Sequence, residues 1–202
     1  MKKLAILGAG GHGKVVAEVA ELNGWQVCFF DDAWLNIKQI SDWPVLGAEE
    51  KLINNITDFS DAFVAIGNNQ IRYEKSILLK SLGFNLVSLI HPKAIVSKYA
   101  SIGSGTVVMA GAVVNPFAKV GVSSIINTSS TIDHDCIIGN YVHICPGANL
   151  AGEVSVGDLS WIGISSALKQ CIHIGKEVIV GAGAVVINNV PDNSTIKGIP
   201  AR

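Results

Sequence analysis

From Val96 to Val186 every sixth residue is Val, Ile or Leu, without a break: Val96, Ile102, Val108 and onward through Leu168, Ile174, Val180 and Val186, sixteen positions in all. A period of six is neither helical (3.6) nor that of a plain alternating strand (2), so each unit must be a short strand followed by a corner. Three units close a triangle of eighteen residues, and the aliphatics then stack inside a prism whose coils lie about 4.8 Å apart, as in any sheet. The position after the aliphatic is often glycine (Gly103, Gly121, Gly139, Gly157, Gly163, Gly175, Gly181), expected to take the crowded corner conformations. Two residues before it a small side chain recurs, as at Ala112, Ser124, Ala148 and Ser160. A β-sandwich would show turn signals every 8–12 residues and no strict register. The pattern therefore predicts a left-handed parallel β-helix of a little over five coils, a fold outside the right-handed crossover rule.

The first ninety residues follow another pattern. Lys3–Leu7 reads as a buried strand, residues 8–13 as a glycine loop, Lys14–Leu22 as a helix, and Val27–Phe30 as a second strand ending in Asp31-Asp32. Gly8, Gly10 and Gly13 fit G-x-G-x-x-G between strand and helix, with acids some eighteen residues on, a dinucleotide fingerprint in its proper setting. Only Phe63–Ile66, ending in Gly67, reads as a convincing further strand, before a helix from Arg72 to Leu82 and a short strand near Leu86–Ile90. That is about half a dinucleotide fold, so a single nucleotide diphosphate fits better than NAD. Glycines let backbone N–H groups approach an anion at the helix N-terminus, His12 adds a donor there, and Asp31 and Asp32 could accept from a base or ribose. Domain boundaries follow: a small α/β Rossmann-like domain over 1–90 and the β-helix over 91–202.

Composition narrows the function. The chain is 49% hydrophobic and only 15% charged, against about 25% in soluble domains. Fifteen Lys and Arg against sixteen Asp and Glu leave no basic surface for nucleic acid. No run approaches the ~18 apolar residues of a membrane span, and glycines break the apolar stretch after Lys2-Lys3 too early for a secretory signal, so the chain reads as cytoplasmic. Apolar prism faces of this size are expected to be covered by like copies, as in a homotrimer. Cys28, Cys136, Cys145 and Cys171 form no C-x-x-C pair or zinc spacing and read as free thiols, buried by default.

The densest polar run in the prism is residues 127–136, which includes His134 between Asp133 and Asp135. A carboxylate on one imidazole nitrogen fixes the tautomer and makes the other a better base; either aspartate could serve. Gly152 lies eighteen residues after His134, one coil on, where its N–H could act as an oxyanion donor. Cys136 falls in the small-residue slot and reads as buried, and His173 as an exposed corner residue.

The stretches GAGGHG, FFDD, VAIGNNQIR, IHPKAIVS, NTSSTIDHDCIIGNYVHICPGANLAG, GAGAVV and GIPAR, in this order along nearly the whole chain, resemble the bacterial acetyl-CoA-dependent sugar acetyltransferases related to sialic acid O-acetyltransferase. They are most similar to the UDP-4-amino-sugar N-acetyltransferases of the bacillosamine and 4-amino-4,6-dideoxyglucose pathways. The resemblance implies His134 as general base, Asp135 as the acid that raises its basicity, where close members carry Glu, and Gly152 as donor to the thioester carbonyl. It implies His143 beside the acetyl-CoA thioester and Ile164 and Ala182 along the pantetheine arm. Gly10, Gly11, His12, Asp31, Asp32 and Gly67 match the nucleotide-sugar site. Direct transfer to the sugar 4-amine needs no metal, and the CoA would lie between neighbouring prisms of a trimer. Two other readings remain: an O-acetyltransferase acting on sialic acid or another sugar hydroxyl, and a non-catalytic sugar-nucleotide-binding protein.

Overall fold

A computed structural model describes residues 2–55 and 58–202. The chain divides into two compact units, Met1–Leu89 and Ile90–Arg202.

In the first unit β1 (Lys2–Leu7), α1 (Gly11–Leu22) and β2 (Trp25–Phe30) follow the predicted strand, loop, helix and strand. A single 3-10 turn (Asp32–Leu35) leads to β3 (Gln39–Ile40), β4 (Trp43–Gly47), α2 (Glu49–Ile53), β5 (Asp61–Val64), α3 (Asn69–Ser81) and β6 (Asn85–Leu86). The sheet order is β3-β4-β2-β1-β5-β6, parallel except for the β3-β4 hairpin. β3 and β4 are absent from the sequence reading. Pro44 argues against a central strand, and β4 accommodates it beside the edge hairpin, bonding to β2 through Val45 and Gly47. Leu4, Ile6, Phe29 and Phe63 are wholly or almost wholly buried in this unit, and α1 places Val16, Ala17, Val19 and Ala20 on one buried stripe. Because β1 lies between β2 and β5, successive connections leave it in opposite directions. The crevice at its C-terminal end is the switch point where ligands bind in sheets of this kind.

The second unit is a prism of three parallel sheets, each built from two-residue strands that repeat every eighteen residues, except that Thr195–Ile196 follows Ile179–Val180 by sixteen. Val113 pairs with Thr131, Ile137 with Ser155, and His143 with Trp161. The first face runs from Ile95–Val96 to Val185–Val186, the second from Ser101–Ile102 to His173–Ile174, and the third includes Ile125–Ile126, His143–Ile144 and Trp161–Ile162. The second residue of each pair points inward, so Ile126, Ile132, Ile138, Ile144 and their equivalents form one buried column.

The corners differ from expectation in an instructive way. Positive φ falls on every sixth residue from Gly105 to Gly183, with Phe117, Asp135, Tyr141, Glu153 and Leu159 among them, and not on the glycines that follow the aliphatics. Those glycines meet a different demand. A Cβ on Gly103, Gly121, Gly157 or Gly163 would lie 2.4 to 2.6 Å from backbone atoms one coil away, so the stacking distance excludes a side chain. The small residues fill the inner corners, and their hydroxyls bond to carbonyls of the next coil: Thr106 to Gly121, Ser124 to Gly139, Ser160 to Gly175 at 2.8 to 3.1 Å. Cys136 occupies the same slot, with its thiol donating to Ala151 O at 3.2 Å. Cys28, Cys136 and Cys145 are buried, whereas Cys171, at a left-handed corner position, is exposed. No helix among the described residues is long and apolar enough to cross a membrane.

Gly121→Ala should destabilise the prism by about 1–3 kcal/mol through overpacking, read as a drop of several degrees in Tm. Gly181→Ala, whose Cβ would meet the Lys197 Cβ at 3.0 Å and no backbone atom closer than the Ile196 carbonyl oxygen at 3.3 Å, should be milder; equal effects would show that coil spacing does not depend on Gly121.

Candidate active site

His134 stands on the edge between the first and second faces, in the corner between Thr131–Ile132 and Ile137–Ile138. Its imidazole Nδ1 lies 2.9 Å from Asp135 Oδ2. An ionised carboxylate only accepts, so Nδ1 carries the proton and Nε2 keeps its lone pair. Asp133 plays a different part: its Oδ1 accepts the His134 backbone N–H at 2.8 Å and the Asn115 amide at 2.7 Å. Those two bonds hold the Asp133 carboxyl below the usual carboxylate range. The bond to Asp135 is the largest cause and raises the His134 pKa above 6.5; desolvation opposes it, and the charges of Asp133, Asp135 and Glu153 each add a smaller rise. Both side chains are about half exposed, at 54% and 52%.

Gly152, one coil on, explains where the ring rests. A Cβ there would lie 2.6 Å from both Cε1 and Nε2 of His134, so the imidazole packs into the space a side chain would fill. The flanking amides are committed to the coil ladder, Ala151 to Leu168 O and Glu153 to His134 O. Beside this edge, on the first face, Asn115, Thr131, Asp133, Asn149 and Ala151 line a groove of about 380 Å³.

The structure brings His134, Asp135 and Gly152 together and sets the other prism residues elsewhere. His143 lies on the third face, buried, with its ring edge-on to Trp161 at 4.3 Å between centroids. Asn127 Oδ1 accepts the Thr128 N–H at 2.8 Å, which turns its amide toward His143 Nε2 at 3.0 Å. Ile164 and Ala182 are exposed and lie eighteen residues apart at the corner that joins the third face to the first. His173 is on a face, not at a corner, bonded to Ser155 Oγ at 2.8 Å. Burial raises the thiol pKa of Cys136, and that of Cys145 to about 12, which removes both as thiolates.

In the first unit the glycine loop crosses the end of β1. Gly8 has φ +105°, and a Cβ there would meet Ala65 O at 2.9 Å, while one on Gly13 would meet Gly8 O at 2.2 Å. Gly10, Gly11 and Gly67 instead face open space, with nothing within 4 Å of a built Cβ. The first set packs helix against strand; the second leaves room for a ligand at the N-terminus of α1. Gly11 and His12 belong to the first turn of α1, not to the loop. His12 Nε2 is buried and has no hydrogen-bond partner among the described residues. Burial, and secondarily the Arg72 guanidinium, lower its pKa to about 4, so it is neutral at pH 7.

Asp31 has a backbone role as well: its two oxygens accept from Ala9 N at 2.7 Å and Ala33 N at 2.8 Å. It fastens the loop to β2. Asp32 is exposed, its nearest bond from Glu49 N at 3.4 Å. Sequence reasoning assigned Arg72 no role. It is buried in α3 and donates to Ile66 O, Gly67 O and Asn69 Oδ1 at 2.8 to 3.0 Å, which shapes the Gly67 turn. Its only sequence signal is a position four residues after the capping Asn68. Among the described residues no group of three or more His, Cys, Asp or Glu could hold a metal ion.

Residues 3–76 match the PglD N-terminal domain family. The chain is 30% identical over 219 residues to the GDP-perosamine N-acetyltransferase of Escherichia coli O157:H7, covering 100% of this chain and 96% of that one. Among solved structures it is similar to the acetyltransferase domain of PglB from Neisseria gonorrhoeae FA1090, with a TM-score of 0.95, 43% identity, and coverage of 100% and 99%. That domain is also known in complex with acetyl coenzyme A. PerB from Caulobacter crescentus, in complex with CoA and GDP-perosamine, aligns with a TM-score of 0.95 and 37% identity over 100% of this chain and 97% of its own. Similarity of this order runs through both units, and the chain belongs to the sugar N-acetyltransferase family that joins a PglD N-terminal domain to a left-handed β-helix.

Proposed function

We propose that this chain transfers the acetyl group of acetyl-CoA to the 4-amino group of a UDP-linked 4-amino-4,6-dideoxy sugar. The observation that carries the reading is the His134 imidazole, held by Asp135 at Nδ1 and seated against Gly152. The amine lone pair attacks the thioester carbonyl carbon, Nε2 takes the amine proton, and the Gly152 N–H donates to the oxyanion. The C–S bond then breaks, and the imidazolium returns its proton to the leaving thiolate, which gives the amide, CoA and a neutral histidine. An amine nucleophile fits the N-acetyltransferase relatives better than a sialic acid hydroxyl. The GDP-perosamine named for two relatives supports a second reading, the same chemistry on a GDP-linked sugar. The open glycines Gly10, Gly11 and Gly67, the neutral His12, and Asp31 and Asp32 would hold the nucleotide, with residues 1–90 as the binding domain and 91–202 as the acetyltransferase domain.

A homotrimer would complete the site. Ile164 and Ala182 stand one side of the triangle away from His134, up to about 20 Å of extended chain, and His143 lies on a face that His134 does not border. Packing that corner of one protomer beside the His134 edge of its neighbour would bring the pantetheine positions and the base together.

His134→Ala should lower kcat by roughly 10²–10⁴ with the fold retained, measured with acetyl-CoA and UDP- and GDP-linked amino sugars side by side; a near-normal rate would remove His134 as the base. Because the His134 pKa is raised, the base form is lost as pH falls, and kcat should decline below a midpoint above 6.5. Asp135→Asn removes the largest cause of the shift and should move that limb to lower pH. A site shared between protomers also makes a quantitative demand. Two inactive variants, His134→Ala and Ala182→Trp, refolded together in equal amounts should recover about a quarter of wild-type activity, whereas a site within one chain recovers none.

A further inference from the structure

On the edge that carries His134, the two coils below it turn aromatic rings to solvent. Tyr99 and Phe117 hold, two coils and one coil down, the corner position that Asp135 holds in its own coil, at steps of eighteen residues. The Asp135 N–H donates to Pro116 O at 3.2 Å, which fixes Phe117 directly beneath Asp135. The two rings stack with centroids 5.7 Å apart and 29° between their planes, and each residue is 59% exposed. The Lys98 ammonium lies 4.9 Å from the Tyr99 ring. The stacked, exposed pair presents an apolar face open to an occupant on the edge that carries His134.

The geometry of the reaction supplies one. In the reading above, the acyl carbonyl is bound at Gly152, one coil above His134. The amine must reach the carbonyl carbon while its proton lies near Nε2, so the acceptor comes from the side away from Gly152. With coils about 4.8 Å apart, that side is the surface of Phe117 and then Tyr99. A pyranose ring turns axial C–H bonds, slightly positive, toward one face, and these match the negative face of an aromatic ring. A 6-deoxy sugar carries a methyl group where others carry a hydroxymethyl, which makes its rim more apolar still.

We propose that Phe117 and Tyr99 form an aromatic platform on which the hexose ring of the acceptor stacks, its amine directed at His134 Nε2. This rests on the reading of His134 as the base for a nucleotide-linked amino sugar. The rings hold the sugar; the nucleotide is held elsewhere. Phe117→Ala should therefore raise KM for the amino-sugar nucleotide about tenfold, leave KM for acetyl-CoA within about twofold, and leave the binding of UDP or GDP alone, measured by calorimetry, unchanged. Phe117→Trp should restore the sugar KM, and Tyr99→Ala should give a smaller rise of the same kind. An unchanged sugar KM in both alanine variants would overturn the platform. So would a change in assembly by sedimentation with the sugar KM of the remaining assembled enzyme unaltered, because the rings would then be a contact between copies. An active His134→Ala overturns the catalytic reading whatever Phe117 does; an inactive His134→Ala with no Phe117 effect overturns the platform alone.

Discussion

The prism exists because eighteen-residue coils stack at sheet spacing, and that spacing is enforced at the corners. Where Gly103, Gly121, Gly157 and Gly163 pass under the next coil, backbone atoms occupy the place a Cβ would take. The same close approach is used once in the other direction. At Gly152 the intruding group is a side chain from the coil below, the His134 imidazole. The glycine thus holds the ring against the coil above it, and Asp135 holds the ring from its own coil. A flexible loop would need further contacts to fix a half-exposed histidine; here two adjacent coils do so.

The period of six was legible because it lies in the aliphatics, which face the interior and tolerate little else. The reason for the glycines was not, because periodicity marks a position without saying whether backbone torsion or backbone proximity requires it. The left-handed residues could not be found from turn chemistry. Phe117, Tyr141, Glu153 and Leu159 are poor αL formers, and the coil imposes that conformation on whatever stands there. Tertiary geometry overrides local preference at each of these corners. In the first unit, Pro44 hid β4, so the sheet is larger than the half-fold the sequence indicated.

The site divides in a similar way. That one coil separates His134 from Gly152 follows from arithmetic on the sequence, and their contact was legible for that reason. Which aspartate orients the ring was not, since Asp133 and Asp135 flank His134 equally in sequence. The backbone decides: Asp133 bends back to cap the His134 N–H, and Asp135, at the left-handed corner, points its carboxylate outward to Nδ1. Asp31 has a part that its place at the end of β2 did not reveal: each of its oxygens accepts a backbone N–H, from Ala9 and Ala33.

His12 and His134 show how position gives one residue type two chemistries. His134 is exposed among carboxylates, so its imidazolium is stabilised and its pKa is raised. His12 is largely enclosed near the Arg72 guanidinium, and its pKa of about 4 keeps it neutral through any pH at which His134 titrates. A neutral imidazole at a helix N-terminus can donate or accept a hydrogen bond without adding a charge that would respond to pH. Under the proposed roles, only the proton transfer at His134 would follow pH. The separation comes from burial, aided by the Arg72 charge, at His12, and from the Asp135 hydrogen bond and the neighbouring carboxylates at His134.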